Sequence, residues 1–159
     1  MNKLIAVILA VSGALMFSGS INASAPTYTA PEPTEIISIE PYFPLTEEER
    51  TIVECIVMGE SGGEPYEGQM LVAQCLLNAC LKDGLQPSEV RTRYKYSGWN
   101  ENPTESVQEA VRAVFDDGEI ITNEPVLFFY APRWCNSTWH ETQIFVCEVG
   151  GHRFFKARL

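Results

Sequence analysis

The stretch Met58-Gly-Glu-Ser-Gly-Gly-Glu-Pro-Tyr-Glu-Gly-Gln69 offers this chain's best material for chemistry. Glu60 closes an apolar run of helical period, and glycines follow it that let a second molecule approach the backbone. A glutamate held against apolar surroundings keeps its proton and can act as a general acid. Glutamates near helix ends are more often simply solvated, so spacing alone leaves both readings open. Glu64 and Glu67 fall at the start of the next helix, where a carboxylate favours the positive end of the dipole and can cap amides. Glu60 lies at the opposite, unfavourable end of its own helix. It is therefore the odd one of the three and the candidate acid.

Rings supply the second signal. Tyr94, Tyr96, Trp99, Tyr130, Trp134 and Trp139 lie mostly in irregular chain or at strand ends, among Ser97, Asn100, Asn102 and Asn136. Singly, each suits packing; as a group in loops they suit stacking on sugar faces. His152, beside paired glycines, reads equally as a substrate contact or a surface strand residue. No metal site is expected: His140-Glu141 lacks a second histidine one helical turn on, and no Cys-x-x-Cys pair occurs. No cofactor motif occurs either. Cys55, Cys75 and Cys80 sit on apolar helical faces as packing thiols. Cys135 and Cys147 bracket a loop that a disulfide between them would close, and five cysteines leave at least one unpaired.

The elements that must position these residues follow from local pattern. Thr46-Glu-Glu-Glu49 is a capping box opening a helix that carries Ile52, Val53, Cys55, Ile56 and Val57 and should stop within Gly59 to Gly63. Pro65 begins a second, strongly apolar helix ended by Gly84, the central helix of the core. Residues 85–103 read as irregular chain with a short helical turn at Pro87-Ser-Glu-Val90. A further helix starts at Asn102-Pro103-Thr104 and ends by Gly118. Then the period changes: Val126–Tyr130, Gln143–Cys147 and His152–Phe155 are short β-rich runs, the last two joined at Gly150-Gly151 as a hairpin. Helices first and strands last indicate an α+β domain with a small antiparallel sheet in its C-terminal half.

Ahead of that domain, Lys3 and the 14-residue run Leu4–Phe17 read as a secretory signal, too short for a membrane span, with cleavage expected after Ala23. Residues 24–44 carry five prolines and read as a linker, with Ile36-Ile37-Ser38-Ile39 as a strap along the domain. Residues 45–159 form the folded domain. The whole chain has 159 residues, 45% apolar, with a formal charge of −10. That suits one core, and it argues against nucleic acid and against a polybasic membrane patch.

At these residues the sequence resembles the spore-cortex-lytic cell-wall hydrolase family of the SleB/CwlJ type. The resemblance is carried by Gly59–Gln69, then Val72-Ala73, Asn78, Tyr96-Ser97, Leu127–Pro132 and Val149–Phe155, in the family's order. It implies a lysozyme-like helical core and a peptidoglycan lytic transglycosylase or muramidase activity in wall or spore-cortex remodelling during germination. The protein would be secreted, to the wall or the spore envelope, with no membrane span left after signal cleavage. Glu60 matches the family's catalytic glutamate, and Glu64, Tyr96, Ser97, Tyr130, Trp139 and His152 are the candidate substrate contacts. Departures are Gly62 for arginine, Asn78-Ala79 for Asn-Arg and Ala131-Pro132 for Asn-Pro. If Glu64 reached across the cleft, ordinary hydrolysis would become possible beside the single-acid route. The reading that competes with an enzyme is a non-catalytic glycan-binding module on the same fold.

Charge distribution fits a glycan partner. Residues 24–67 hold ten acidic residues against one basic, while residues 68–159 hold eleven against nine. The aromatic-rich half is nearly neutral, and Arg91, Arg93, Lys95, Arg133 and Arg153 within it suit an anionic strand.

Overall fold

A computed structural model describes residues 42–158. The signal segment, nearly all of the linker and the strap at Ile36–Ile39 lie outside the described residues. Five helices and three strands follow in the order α1 (Glu47–Ser61), α2 (Tyr66–Asp83), α3 (Pro87–Tyr94), α4 (Glu105–Phe115), β1 (Val126–Tyr130), α5 (Thr138–Glu141), β2 (Ile144–Val149) and β3 (His152–Lys156). The sheet is antiparallel throughout, in the order β1-β3-β2. The α+β organisation read from the change of period is the one observed. Among the described residues, no helix is long and apolar enough to cross a membrane.

The capping box at Thr46 forms in both directions, with Glu49 N–H donating to the Thr46 hydroxyl and Thr46 N–H to the Glu49 carboxylate. Tyr42 and Phe43, ahead of the expected boundary at Leu45, already belong to the fold: their amides donate to Asp116 and Phe115, and the Phe43 ring meets Phe115 edge-on at 5.7 Å. Helix α2 is buried on nearly every side, with Leu71, Val72, Ala73, Cys75 and Leu76 wholly inaccessible. It ends where Gly84 turns left-handed at φ 65°, a conformation glycine adopts without penalty. Phe115 and Phe154 close the same core from α4 and β3. Truncating either to alanine would cost about 3–5 kcal/mol.

Two polar side chains of α2 fasten the helical half to the sheet. Gln74 donates to the Thr122 carbonyl and accepts from the Ile121 amide, and Asn78 donates to the Val126 carbonyl at the start of β1. Within the sheet, β3 is central and pairs Phe154 with Phe129 and Arg153 with Tyr130. The β2–β3 turn is the two-residue Gly150-Gly151 hairpin, with Val149 opposite His152.

Helix α1 ends within Gly59–Gly63 as expected: it runs through Ser61, whose hydroxyl donates to the Val57 carbonyl at 2.9 Å, and Gly62 is its C-cap. Glycine in a helix costs about 1 kcal/mol; here the space beside Gly59 holds the backbone of Gly98 and Trp99, which supplies a packing reason for it. Two expectations change. Helix α3 extends past Val90 to Tyr94, opened where the Gln86 amide donates to the Glu89 carboxylate and the Glu89 amide to the Gln86 carbonyl. One turn of helix, α5, lies in what reads as loop. Four residues are too few for a periodic signal, and Trp139 and Glu141 hold the turn through contacts with β1 and β3.

Candidate active site

A cleft of about 1040 Å³ opens between the helical half and the sheet. The end of α1 and the glycine turn after it form one wall. The α3 C-terminus and the chain after it form a second, and β1, α5 and the loop between them a third. Glu60, Glu64, Tyr96, Ser97, Tyr130, Trp139 and His152 all line it. The structure therefore brings together every candidate site residue, although 92 positions separate Glu60 from His152.

Glu60 sits in the last turn of α1, half-buried. One carboxyl oxygen, Oε1, accepts the Gly98 amide at 2.6 Å. That geometry depends on two glycines crossing. A β-carbon on Gly98 would lie 2.5 Å from the Glu60 nitrogen, and one on Gly59 would overlap the Trp99 amide. The Asn100 amide fastens the same loop to the Cys55 carbonyl at 3.0 Å. The sequence reading did not single out Gly98; a glycine set among Tyr96, Ser97 and Trp99 is the signal that marks it.

Glu64 behaves differently from the expected helix cap. Helix α2 has no side-chain cap. The Glu64 carboxylate instead accepts the Gly151 amide at 2.6 Å through Oε2 and places Oε1 3.4 Å from His152 Nδ1. A β-carbon on Gly150 would overlap that carboxylate, and Gly150 itself turns left-handed at φ 60°. The paired glycines thus serve both the hairpin turn and the docking of the hairpin on Glu64. Gln69, at the end of the same block, is buried and donates to the Glu64 carbonyl while accepting from Ser106. Glu64 and Gln69 are structural joints of the site.

The rings divide into floor and rim. Tyr96 is only 7% exposed, stacks on Phe129 at 5.3 Å and donates its hydroxyl to the Leu127 carbonyl, so it supports the floor. His152 is buried beneath Phe129 and Phe154. Tyr130 stacks on Phe155 and donates to Glu141, a bond that pushes its phenol upward in pKa. Trp139 meets Phe128 edge-on at 4.9 Å and keeps 53% of its surface open, and Trp134 keeps 78%. Ser97 is exposed beside Gly98. Trp99 does not line the cleft; it lies under the Arg91 guanidinium.

The three helical thiols do not support nucleophilic chemistry. Burial pushes the Cys80 thiol up to about 12, the Cys75 thiol well above its ordinary value and the Cys55 thiol above its own, so all three stay protonated at neutral pH. The bridge that Cys135 and Cys147 could have made does not form: both sulfurs are free. Cys135 is exposed on the cleft rim, Cys147 lies on β2 near Cys75, and α5 stands between them in the chain. Among the described residues, no group of acidic, histidine and cysteine side chains is arranged to hold a metal ion.

No protein-family model matches the chain, and no curated protein matches it. Solved structures do. The catalytic domain of the germination-specific lytic transglycosylase SleB from Bacillus anthracis is 25% identical, with a TM-score of 0.58 over 70% of this chain and 97% of that one. The catalytic domain of the Bacillus cereus SleB protein is 26% identical, with a TM-score of 0.59 over 72% of this chain and 96% of that one. The resemblance carried by the sequence blocks therefore extends to the fold: this chain is similar to the SleB catalytic domains over nearly their whole length.

Proposed function

We propose that this protein is a secreted peptidoglycan-cleaving enzyme, a lytic transglycosylase that uses Glu60 as its single acid and base. The observation that carries this reading is the setting of Glu60 in a sugar-sized, aromatic-walled cleft. One of its oxygens is held by the Gly98 amide, and the other makes no hydrogen bond among the described residues. Glu60 protonates the oxygen linking N-acetylmuramic acid to N-acetylglucosamine as positive charge develops on the muramic ring. The bond to that oxygen breaks and the N-acetylglucosamine side leaves as an alcohol. The Gly98 amide steadies the carboxylate so formed. Glu60 then takes the proton of the muramic 6-hydroxyl, whose oxygen closes a 1,6-anhydro ring, and the acid is restored.

A two-carboxylate hydrolysis needs a second acid free to activate water or to attack the sugar. Glu64 faces the hairpin with both oxygens, which favours the single-acid route. Trp134 and Trp139 supply open ring faces for sugars at the rim. The likeness to the germination-specific lytic transglycosylase SleB of Bacillus anthracis supports the same chemistry, and the proposed place of action is the wall or spore cortex.

Digestion of purified peptidoglycan followed by mass analysis of the muropeptides tests this. Wild type should release 1,6-anhydro products, and Glu60→Gln should lose at least about 100-fold in rate with unchanged thermal stability. Equal activity in the two proteins would overturn the assignment. Reducing-end products without anhydro sugar would replace the transglycosylase by a hydrolase. Binding of wall without any cleavage would mean a glycan-binding module.

A further inference from the structure

We propose that Arg93 and Lys95 form a carboxylate-reading wall of the cleft, selecting glycan strands that carry an anionic group beside the scissile bond. This inference rests on the peptidoglycan reading above. The described residues contain ten lysines and arginines, and eight have partners. Five sit in ion pairs with carboxylates, Arg91 and Arg133 lie over tryptophan rings, and Arg158 donates to the Thr142 carbonyl. Arg93 and Lys95 make no ion pair, ring contact or side-chain hydrogen bond among the described residues, and both line the cleft. In a chain with 21 acidic residues against 11 basic ones, two cations that line the cleft without an ion pair are a departure from the rest of the described surface.

Their neighbour Asp83 also lines the cleft and its charge acts on Arg93, but it forms no ion pair with Arg93 or Lys95. Its carboxylate is held by Lys82 at 2.9 Å and by the Tyr94 hydroxyl at 2.8 Å. The dipole of α3 favours an arginine in its last turn, which would explain Arg93 alone. It does not explain a lysine at the C-cap with left-handed backbone, φ 59° and ψ 36°, where glycine or asparagine is the cheaper occupant. Lys95 stands three residues before Gly98, the amide that holds Glu60, so at most about 11 Å of chain separates them. An anion seated on Arg93 and Lys95 therefore belongs to a sugar next to the bond being cut. On a muramic strand that anion is a carboxylate of the stem peptide or, where no peptide is attached, of the lactyl group, whose carboxyl is otherwise an amide.

Three substrates separate the outcomes: intact peptidoglycan, strands stripped of stem peptide by an amidase so that the lactyl carboxylate remains, and peptidoglycan with every carboxyl amidated by methylamine and carbodiimide. At substrate levels below saturation, R93Q/K95Q should cleave intact peptidoglycan about fivefold more slowly than wild type. The gap should shrink at about 0.5 M salt and disappear on the amidated substrate. A control pair, R112Q/K156Q, removes the same charge from ion pairs that do not line the cleft and should match wild type on all three. A defect that vanishes on stripped strands assigns a stem-peptide carboxylate, and one that persists there shows that the wall also accepts the lactyl carboxylate that the amidase uncovers. An equal defect on intact and amidated substrate, or none on either, overturns the wall while leaving the cleavage reading in place. A wild type that cleaves none of the three overturns both.

Discussion

Glu60 and Glu64 stand four residues apart, one at the end of α1 and one in the turn before α2, and each accepts a single backbone amide at 2.6 Å. Their surroundings give them opposite uses. The amide on Glu60 comes from a loop 38 residues away and engages one oxygen, leaving the other for a ligand. The amide on Glu64 comes from a hairpin 87 residues away, and His152 faces its second oxygen. One carboxylate is oriented by the fold, whereas the other holds the fold together. Residue type is the same for both; what differs in use is how many of their acceptor sites the protein itself occupies.

That contrast breaks most sharply at Gly98. Gly98→Ala places a methyl group against the Glu60 backbone, so the loop must move and its amide leaves Glu60. A displacement of about 1 Å at a reacting group is worth about 100-fold in rate, and we expect a loss of that order in muropeptide release. The overpacking should also lower stability by about 1–3 kcal/mol in chemical denaturation. Activity within threefold of wild type would mean that the amide does not orient the acid.

Glu64→Ala should show the reverse pattern. It strips the Gly151 amide of its acceptor and leaves buried His152 Nδ1 without its nearest acidic oxygen. The expected cost is about 1–3 kcal/mol, read as a fall in melting temperature of about 5–15 °C. Initial rates well below that transition should stay within a few-fold of wild type. A large loss of rate without loss of stability would make Glu64 a participant in the chemistry.

The smallest expected effect concerns the third wall. Burial lowers the His140 pKa, opposed in part by the Glu141 charge. As pH falls through about 6.5, the unfolded chain takes up this proton before the folded protein does, so stability declines on acidification. His140→Gln should flatten the pH 7 to 5 slope of unfolding free energy slightly. An unchanged slope would show that the α5 turn carries no such linkage, leaving the two glutamate anchors as the features that matter.

Much of this was legible beforehand because it is local. The Thr46 capping box, the left-handed stop at Gly84 and the two-glycine hairpin each depend on residues within one turn of one another. The candidate list was legible too, because glycine-flanked acid and loop aromatics are unusual in plain packing. The roles within it were less so. Tyr96 reads like a sugar platform but carries its hydroxyl to Leu127 and its ring to the core. Glu64 reads like a cap but serves the hairpin.

From sequence alone follow the order of helices and strands, the α+β class, the single core and the prominence of Glu60, since these rest on periodicity, capping and chain-local charge. Only the tertiary structure decided that Gly59 packs against Gly98, that Gly98 holds Glu60, that Glu64 is committed to β3, and that Arg93 and Lys95 line the cleft without an ion pair among the described residues. Each of those depends on which distant backbone fills the space beside a glycine or the second oxygen of a carboxylate. Such long-range fitting is set by packing, and local pattern does not encode it.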